Sequence, residues 1–338
     1  MAQYGYALSI EEHSAPDLVR YALLAERSGF SFCLISDHFH PWLARQGHSP
    51  FAWTVIGAIA QATNTLHLGT GVTCPLIRYH PAIIAQAAAT LACLAPGRAY
   101  LGVGTGEALN EYAATGWWPT YDERQARLAE AIELMRALWT GEEVSHDGTY
   151  YETRKARLYT RPPDVVPVYV SALVPESAEF AGRHGDGLFT VGGQQPEHYR
   201  QIIQRFEAGA RAAGKDPSTL PRWVELGVAY TNDLDAAIQC RRQYWAGTYV
   251  PAMYAQRIYT PKMSEQNGAV VGPDTMRQQG CFSSDPNEHV RFAQQYVDLG
   301  FDHLVFHYAG PDQRAFLERY GRDVLPRLRQ SEQAKKVA

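Results

Sequence analysis

The sequence predicts an α/β fold, a (β/α)8 TIM barrel with insertions, from three observations. The length of 338 residues fits one large barrel. Short apolar runs alternate with segments of helical periodicity along most of the chain, which is typical of βα units around a parallel sheet. Eight of the apolar runs are predicted to be strands, the number that closes such a barrel. We expect one domain over residues 1–338, with insertions near 142–160 and 245–282.

The predicted strands are short apolar runs bounded by glycine, proline or polar residues. They lie at 4–8, 32–35, 66–69, 99–103, 167–171, 187–191, 223–230 and 303–306. Several of the helices between them begin at serine or proline, and several end at glycine, as Ser14 and Gly29 do for the first. Helices are predicted at 14–28, 51–63, 81–95, 124–139, after Pro175, and at 196–213, 286–299 and 311–330.

Two stretches interrupt this alternation. Residues 144–159 hold Asp147-Gly148 between two runs rich in Thr, Tyr and Val, which predicts a β-hairpin. Residues 245–281 are rich in Tyr, Gln, Pro and Gly and show no clear periodicity. We interpret the second stretch as a long insertion or lid over the site, a use that long loops often have.

Composition narrows the class of protein. The net charge is −4 and the pI about 6.3, so no basic surface indicates nucleic acid or an anionic membrane as a partner. The N-terminus lacks the pattern of a signal peptide, and every apolar run is shorter than a membrane span. The cysteines form no C-x-x-C motif, which argues against a disulfide framework or zinc cluster and favours the cytoplasm. They are Cys33, Cys74, Cys93, Cys240 and Cys281.

Residues 36–42, Ser-Asp-His-Phe-His-Pro-Trp, directly follow the second predicted strand. They place a carboxylate, two imidazoles and an indole at the end of a strand, where barrels build active sites. An equally simple interpretation is that Asp37 caps the following turn and that His38 and His40 are solvated loop residues. Composition and spacing alone do not separate the two.

Two other motifs suggest different chemistry. Gly104-x-Gly106 follows a strand, but Leu109 stands where a dinucleotide-binding fingerprint needs its third glycine. His38-Phe39-His40 is similar to the H-x-H of metal-dependent barrel hydrolases, which remains an alternative. Further ligands at later strand ends are few, with Asp302 and His307 flanking only the last strand.

Several segments together resemble the F420-dependent glucose-6-phosphate dehydrogenases, a branch of the luciferase-like superfamily. The resemblance runs from Tyr4 to about Leu328, and its most specific part is the string Gly-Thr-Gly-Glu-Ala-Leu-Asn-Glu at 104–111. It implies a TIM barrel that binds the deazaflavin coenzyme F420 at its C-terminal mouth, usually as a homodimer. The matching segments are residues 36–42, 47–51, 68–72, 101–111 and 304–307.

The resemblance also implies catalytic roles. His38 would be the general base on a substrate hydroxyl, and Trp42 would pack near the reacting centre. Glu107 would deliver a proton to N1 of the deazaflavin, and Asp37 would hydrogen-bond the ring. Hydride loss from a carbinol needs one base and one acid, which we expect on opposite sides of the reacting centre.

Further cofactor contacts follow from the same resemblance. Gly71-Val72 matches the site of a non-proline cis peptide behind the deazaflavin ring. The remaining positions contact the cofactor or stand where relatives wrap its phosphate with a glycine pair. They are Cys74, Thr105 and Asn110, and then Leu173, Val174, Glu176 and Ser177.

The substrate-binding positions depart from the family. Where relatives place a threonine, two lysines and an arginine, this chain aligns Val191, Gln194, about Ala255 and Gln279. Neutral side chains do not replace the charged donors that a phosphate dianion needs. Arg257, Lys262 and Arg277 lie nearby in sequence and are candidate replacements.

We therefore predict an F420-dependent dehydrogenase for a sugar, sugar phosphate or secondary alcohol, with glucose 6-phosphate not necessarily preferred. Besides the hydrolase, two alternatives stay open. One is an F420- or FMN-dependent reductase or monooxygenase on the same barrel. The other is a non-catalytic cofactor-binding protein, which the paired acid and base argue against.

Overall fold

The barrel is built from eight parallel strands in a computed structural model that describes residues 1–250 and 257–337. Isolated bridges from Leu68 to Ala99 and from Thr73 to Val103 bring β3 against β4 and nearly close the ring, which confirms the predicted fold. The strands are β1 Gln3–Leu8, β2 Phe32–Ile35, β3 His67–Thr70, β4 Leu101–Val103, β5 Val144–Asp147, β6 Glu152–Ala156, β7 Val168–Ser171, β8 Gly187–Val191, β9 Arg222–Tyr230, β10 Cys281–Ser283 and β11 His303–His307. Eight of them form the barrel, in the order β3-β2-β1-β11-β9-β8-β7-β4, while β5 pairs with β6 and β10 pairs with β9.

Helices connect the strands and cover the outside of the sheet. They are α1 Ala15–Arg27, α2 Ala52–Ala62, α3 Pro81–Leu94, α4 Ala108–Thr115, α5 Tyr121–Trp139, α6 Pro175–His184, α7 Pro196–Ala212, α8 Leu234–Trp245, α9 Pro261–Gly268, α10 Pro273–Gln279, α11 Pro286–Leu299, α12 Gln313–Asp323 and α13 Leu325–Val337. Side chains cap several N-termini, as when Oγ of Ser14 and Oγ1 of Thr120 accept from backbone N–H groups in the first turn. Among the described residues, no helix is both long and apolar enough to cross a bilayer.

Aromatic side chains fill the lower part of the barrel interior. Trp223 lies at the centre, with ring centroids 4.3 Å from Phe32 and 4.9 Å from Tyr100. Both partners are buried, and Phe189 and Val305 belong to the same cluster. This packed layer leaves space only at the carboxyl ends of the strands, and so it determines the depth of the cavity above it.

The structure agrees with the prediction for one of the two stretches that interrupt the alternation of strands and helices, and differs for the other. The hairpin predicted around Asp147-Gly148 is present, because β5 and β6 pair antiparallel. The stretch expected to lack periodicity contains α9, α10 and β10, and β10 extends the sheet beside the end of β9. Each of its two helices is only 7 or 8 residues long and begins at a proline, so neither is long enough to reveal a periodic apolar face.

Some helices differ from those predicted from the sequence. Helices α4 and α8 were not predicted, and α12 and α13 occupy the region predicted as one helix over 311–330. The break falls at Val324, just before Leu325-Pro326. Proline lacks an N–H donor and disfavours helical geometry in the preceding residue, which explains the interruption.

Candidate active site

A cavity of about 630 Å³ opens at the carboxyl ends of the barrel strands. Its two sides differ in chemistry. Apolar and small residues form the side next to β3 and β7, including Gly71, Val72, Leu173 and Val174. Polar and charged residues form the side next to β1, β9 and β11, namely Ser9, Glu11, His38, Glu225, Arg241 and His307.

His38 is held by a carboxylate that the sequence analysis did not identify. Its Nδ1 lies 2.5 Å from Oε1 of Glu11, and Ser36 donates its hydroxyl to the same oxygen at 2.7 Å. A carboxylate can only accept, so Nδ1 carries the proton and Nε2 is the nitrogen free to react. Glu11 and Ser36 therefore orient the imidazole and select its tautomer.

The same contact sets the protonation of His38. Burial alone lowers the pKa of this imidazole, but the hydrogen bond and charge of Glu11, with the charge of Glu107, outweigh burial and raise it. Burial likewise raises the pKa of Glu11, while the His38 contacts and the Ser36 hydroxyl overcome it and hold the pKa below its usual value. The pair is thus an ionised carboxylate beside a basic imidazole.

Glu107 stands at the N-terminus of α4 and is a neighbour of His38. Its Oε2 lies 3.9 Å from Nε2 of His38. That the acid and the base lie on opposite sides of the reacting centre stays a prediction. The two side chains come close because Oδ1 of Asn110 accepts from the backbone N–H groups of Phe39 and His40 at 2.9 and 3.0 Å and so joins the loops after β2 and β4.

Trp42 packs against the imidazole of His38. Its ring meets His38 edge to face, with centroids 5.0 Å apart and planes at 86°. The indole is buried in a small apolar cluster with Leu43, Leu109 and Trp245. Trp42 therefore forms the wall of the cavity beside His38.

Asp37 lies behind the cavity rather than in its lining. Its carboxylate is buried and accepts from Thr73 at 2.8 Å and from Tyr79 at 2.9 Å, and Arg78 is 3.4 Å away. Arg78 also pairs with Glu111 at 3.3 Å. This network supports the loop that carries His38, whereas the predicted contact of Asp37 with the cofactor stays a prediction.

The apolar side of the cavity has the features of a cradle for a flat ring. The peptide between Gly71 and Val72 is cis. A Cβ on Gly71 would lie 2.8 Å from Leu34, and one on Gly104 would lie 2.8 Å from Val72, so neither position has room for a side chain. A planar, largely apolar cofactor fits such a surface.

The other predicted cofactor residues are divided between lining and support. Leu173 and Val174 line the cavity, and Ser177 is buried below them, donating to the Val174 carbonyl at 2.8 Å. Glu176 is exposed in the first turn of α6. Among the described residues, those of the predicted set that are not in the cavity lining are Asp37, Cys74, Thr105, Asn110, Glu176 and Ser177.

The predicted substrate residues meet at one corner of the cavity. Val191, Gln194 and Gln279 all line it. Ala255 lies outside the residues that the structure describes. The candidate cations are elsewhere, because Arg257 and Lys262 are exposed and Arg277 pairs on the surface with Asp235 and Asp274.

Several residues of the polar side were missed from the sequence. Arg241 belongs to α8, a helix that was not predicted. Glu225 interrupts the apolar strand Val224-Glu225-Leu226, and a carboxylate within such a run is a signal that points to the barrel interior. Within residues 1–250 and 257–337, no group of three or more His, Cys, Asp or Glu side chains could hold a metal ion.

The model of the luciferase-like monooxygenase family matches residues 3–303, which is most of the chain. The chain belongs to this family. The luciferase-like protein is 43% identical over 328 residues to the F420-dependent glucose-6-phosphate dehydrogenase of Mycolicibacterium smegmatis, covering 96% of this chain and 97% of that one. It is 42% identical to the enzyme of the same name from Mycolicibacterium gilvum, with the same coverage.

Solved structures agree with this membership. An F420-dependent secondary alcohol dehydrogenase in complex with an F420-acetone adduct superposes with a TM-score of 0.92 at 36% identity, covering 97% of this chain and 99% of that one. The F420-dependent tetrahydromethanopterin reductase of Methanopyrus kandleri has a TM-score of 0.80 at 21% identity over 97% and 99% of the two chains. The second similarity concerns the fold alone.

Proposed function

We propose that this luciferase-like protein is a coenzyme F420-dependent dehydrogenase that oxidises a carbinol. The observation that carries the proposal is the arrangement of Glu11, His38 and Glu107 beside the apolar cradle of Gly71 and Val72. The names of the similar proteins, which include two F420-dependent dehydrogenases acting on a sugar phosphate or a secondary alcohol, support it.

Gly71, Val72, Leu173 and Val174 would hold the deazaflavin ring against the apolar side of the cavity. Coenzyme F420, when bound, supplies the hydride acceptor. The barrel excludes bulk water from below through its aromatic layer, and Trp42 covers the side next to His38. A substrate would then approach the ring from the polar side of the cavity.

His38 takes the hydroxyl proton. Nε2 accepts it while Nδ1 keeps its bond to Glu11, and the ionised Glu11 stabilises the imidazolium that forms. Glu107 would be the acid that delivers the second proton. Its Oε2 lies 3.9 Å from Nε2 of His38, so both groups can reach the same small region of the cavity. A base and an acid so arranged suit the removal of a hydroxyl proton together with hydride loss.

The substrate corner favours a compound other than glucose 6-phosphate. Val191, Gln194 and Gln279 contribute no positive charge to this part of the cavity. A phosphate dianion is recognised by cationic donors that neutral amides do not replace. A clear preference in kcat/KM for glucose 6-phosphate over glucose and simple alcohols would contradict this part of the proposal.

Replacing His38 with alanine tests the proposed base. We expect His38→Ala to lower kcat by about 10²- to 10⁴-fold, because the proton acceptor is removed. Affinity for F420, measured by fluorescence quenching in the absence of substrate, should change little since the cradle is intact. Exposed His48 offers the matched control, and His48→Ala should keep wild-type turnover. Turnover by His38→Ala near the wild-type rate would exclude His38 as the base.

The assembly and the compartment are further parts of the proposal. We propose a homodimer, the state that the family resemblance implies, and light scattering on the purified protein measures it. We also propose that the protein works in the cytoplasm. All five cysteines are free thiols, and three of them are buried, which suits a reducing compartment.

A further inference from the structure

A group of polar side chains on the β9–β11 side of the cavity has no part in the proposed chemistry. We call Ser9, Glu225, Arg241 and His307 the polar corner. All four line the cavity, and they come from the loop after β1, from β9, from α8 and from β11. Glu225 occupies the barrel layer directly above Trp223, since side chains two residues apart on a strand point to the same face.

Arg241 is a buried cation that faces the cavity. Only 9% of the residue is exposed, and its Nε donates to the Tyr249 hydroxyl at 2.9 Å. Its Nη1 lies 3.2 Å from Nδ1 of His307. No carboxylate of the described residues lies within 4.0 Å of the guanidinium, so no ion pair consumes its remaining N–H groups there.

Glu225 supplies an acceptor in the same corner. Its Oε1 lies 3.0 Å from Nδ1 of His307, and its side chain remains 22% exposed towards the cavity. On the other side of the ring, Nε2 of His307 lies 2.8 Å from Oγ of Ser9. Burial, helped by the charge of Arg241 and opposed by Glu225, lowers the pKa of His307 and keeps this imidazole neutral.

The corner therefore carries one positive and one negative charge with no net charge. The amides of Gln194 and Gln279 and the hydroxyl of Thr248 face the same cavity and can both donate and accept. An anionic substrate would meet the carboxylates of Glu225, Glu11 and Glu107, which all line the same cavity. A plain alkyl group would leave the charged groups without partners once water is displaced, which is unfavourable.

We propose that the polar corner binds the hydroxyl groups of a neutral polyhydroxylated substrate, an unphosphorylated sugar or polyol. Glu225 accepts from one hydroxyl and Arg241 donates to another, on the side of the substrate away from the carbinol that faces His38. This inference rests on the proposed function and names its substrate class. Both residues determine specificity rather than chemistry, because neither contacts His38.

The test compares substrates across matched variants. Rates of F420 reduction are measured with D-glucose, sorbitol, glucose 6-phosphate and 2-propanol for the wild type, Glu225→Gln and Arg241→Gln. We expect the wild type to prefer glucose and sorbitol over glucose 6-phosphate and over 2-propanol by at least about tenfold in kcat/KM. A difference of that size is the effect of one hydrogen bond to a charged group. In both variants the ratio of kcat/KM for glucose to that for 2-propanol should fall by about 10- to 100-fold. Exposed residues of α7 give the controls, Glu197→Gln and Arg200→Gln, for which the ratio should not change.

A second measurement separates this inference from the proposed function. Saturation-transfer NMR detects glucose on the protein without turnover, and the signal should weaken in Glu225→Gln but not in Glu197→Gln. If no alcohol reduces F420 but this binding pattern holds, the dehydrogenase assignment fails and the polar corner stands. Three results would overturn the assignment of the corner. They are a ratio of kcat/KM for glucose to 2-propanol that is unchanged in Glu225→Gln and Arg241→Gln, a wild-type preference for glucose 6-phosphate, and equal glucose binding by Glu225→Gln and Glu197→Gln.

Discussion

Glu11, a carboxylate with no exposed side-chain surface, holds the imidazole of His38. Glu11 comes from the loop after β1 and His38 from the loop after β2, and parallel pairing of these strands brings the two loops together. The short contact between Nδ1 and Oε1 determines which nitrogen carries the proton and helps to raise the pKa of the imidazole. The tautomer and the basicity of His38 therefore depend on the pair rather than on the histidine alone.

Replacing Glu11 with glutamine separates these two effects. Without the negative charge, burial is the main influence left on His38 and lowers its pKa. Because the base works in its neutral form, the acidic limb of kcat/KM should move to lower pH in Glu11→Gln. We expect kcat itself to fall by roughly 10²-fold, because the amide does not stabilise the imidazolium.

A pH–rate profile of the wild type and Glu11→Gln measures both changes. The control is Glu197→Gln, which makes the same substitution on the exposed face of α7 and should leave the profile unchanged. If the acidic limb of Glu11→Gln coincided with that of the wild type, Glu11 would not be what raises the pKa of His38.

At the scale of elements, α6 and α7 meet through glycines. Gly182 of α6 lies against the Phe206 carbonyl of α7, and Gly209 of α7 lies against the Glu179 carbonyl of α6. A Cβ at either position would overlap backbone atoms, which have no rotamer to change. The absence of two side chains thus allows these helices to pack closely behind β7 and β8.

Alanine at Gly182 should destabilise the protein although alanine favours helices. We expect Gly182→Ala to reduce the free energy of unfolding by about 1–3 kcal/mol, the usual effect of overpacking. Gly57 in α2 is the matched control, since a Cβ there would meet only Leu94 at 4.0 Å. Gly57→Ala should instead gain about 0.5–1 kcal/mol of stability. Urea denaturation of both variants measures the two signs, and stabilisation by Gly182→Ala would contradict the close packing.

At the scale of the whole molecule, the two ends of the barrel serve different purposes. The carboxyl ends of the strands carry the cavity, whereas α13 covers the amino end of β1. Glu332 of α13 is buried and accepts from the backbone N–H of Ala2 at 2.6 Å and from the Tyr4 hydroxyl. These contacts join α13 to the amino end of β1. Ser9 and the cavity lie beyond the opposite, carboxyl end of the same strand.

Removing the Glu332 carboxylate should affect stability without affecting catalysis. Glu332→Ala leaves the half-buried N–H of Ala2 and the buried hydroxyl of Tyr4 without their acceptor, and we expect a loss of about 1–3 kcal/mol in the free energy of unfolding. The kcat of the folded variant should match the wild type. Glu318→Ala, which removes an exposed carboxylate paired with Arg314 on α12, should change stability by less than about 0.5 kcal/mol. A large fall in kcat for Glu332→Ala would show that the amino end of the barrel influences the cavity at its carboxyl end.

Sequence patterns predicted the barrel because its signals are local. Each strand is a short apolar run and each long helix an amphipathic segment, so neighbouring residues are enough to recognise them. The short helices α9 and α10 were not predicted, because one or two helical turns show no periodicity. Helix α8 was not predicted either. That residues 1–338 form one domain with insertions stays a prediction.

By itself, the sequence determined the parallel barrel and the segment 36–42 at the end of its second strand. Only the tertiary structure decided the partners of those residues, placing Glu11 on His38, Asn110 between two loops, and Arg241 and Glu225 around His307. These contacts join residues between 27 and 82 positions apart. The physical reason is that periodicity reports the few residues within one element, whereas contacts across the mouth depend on which strand ends the closed sheet brings together.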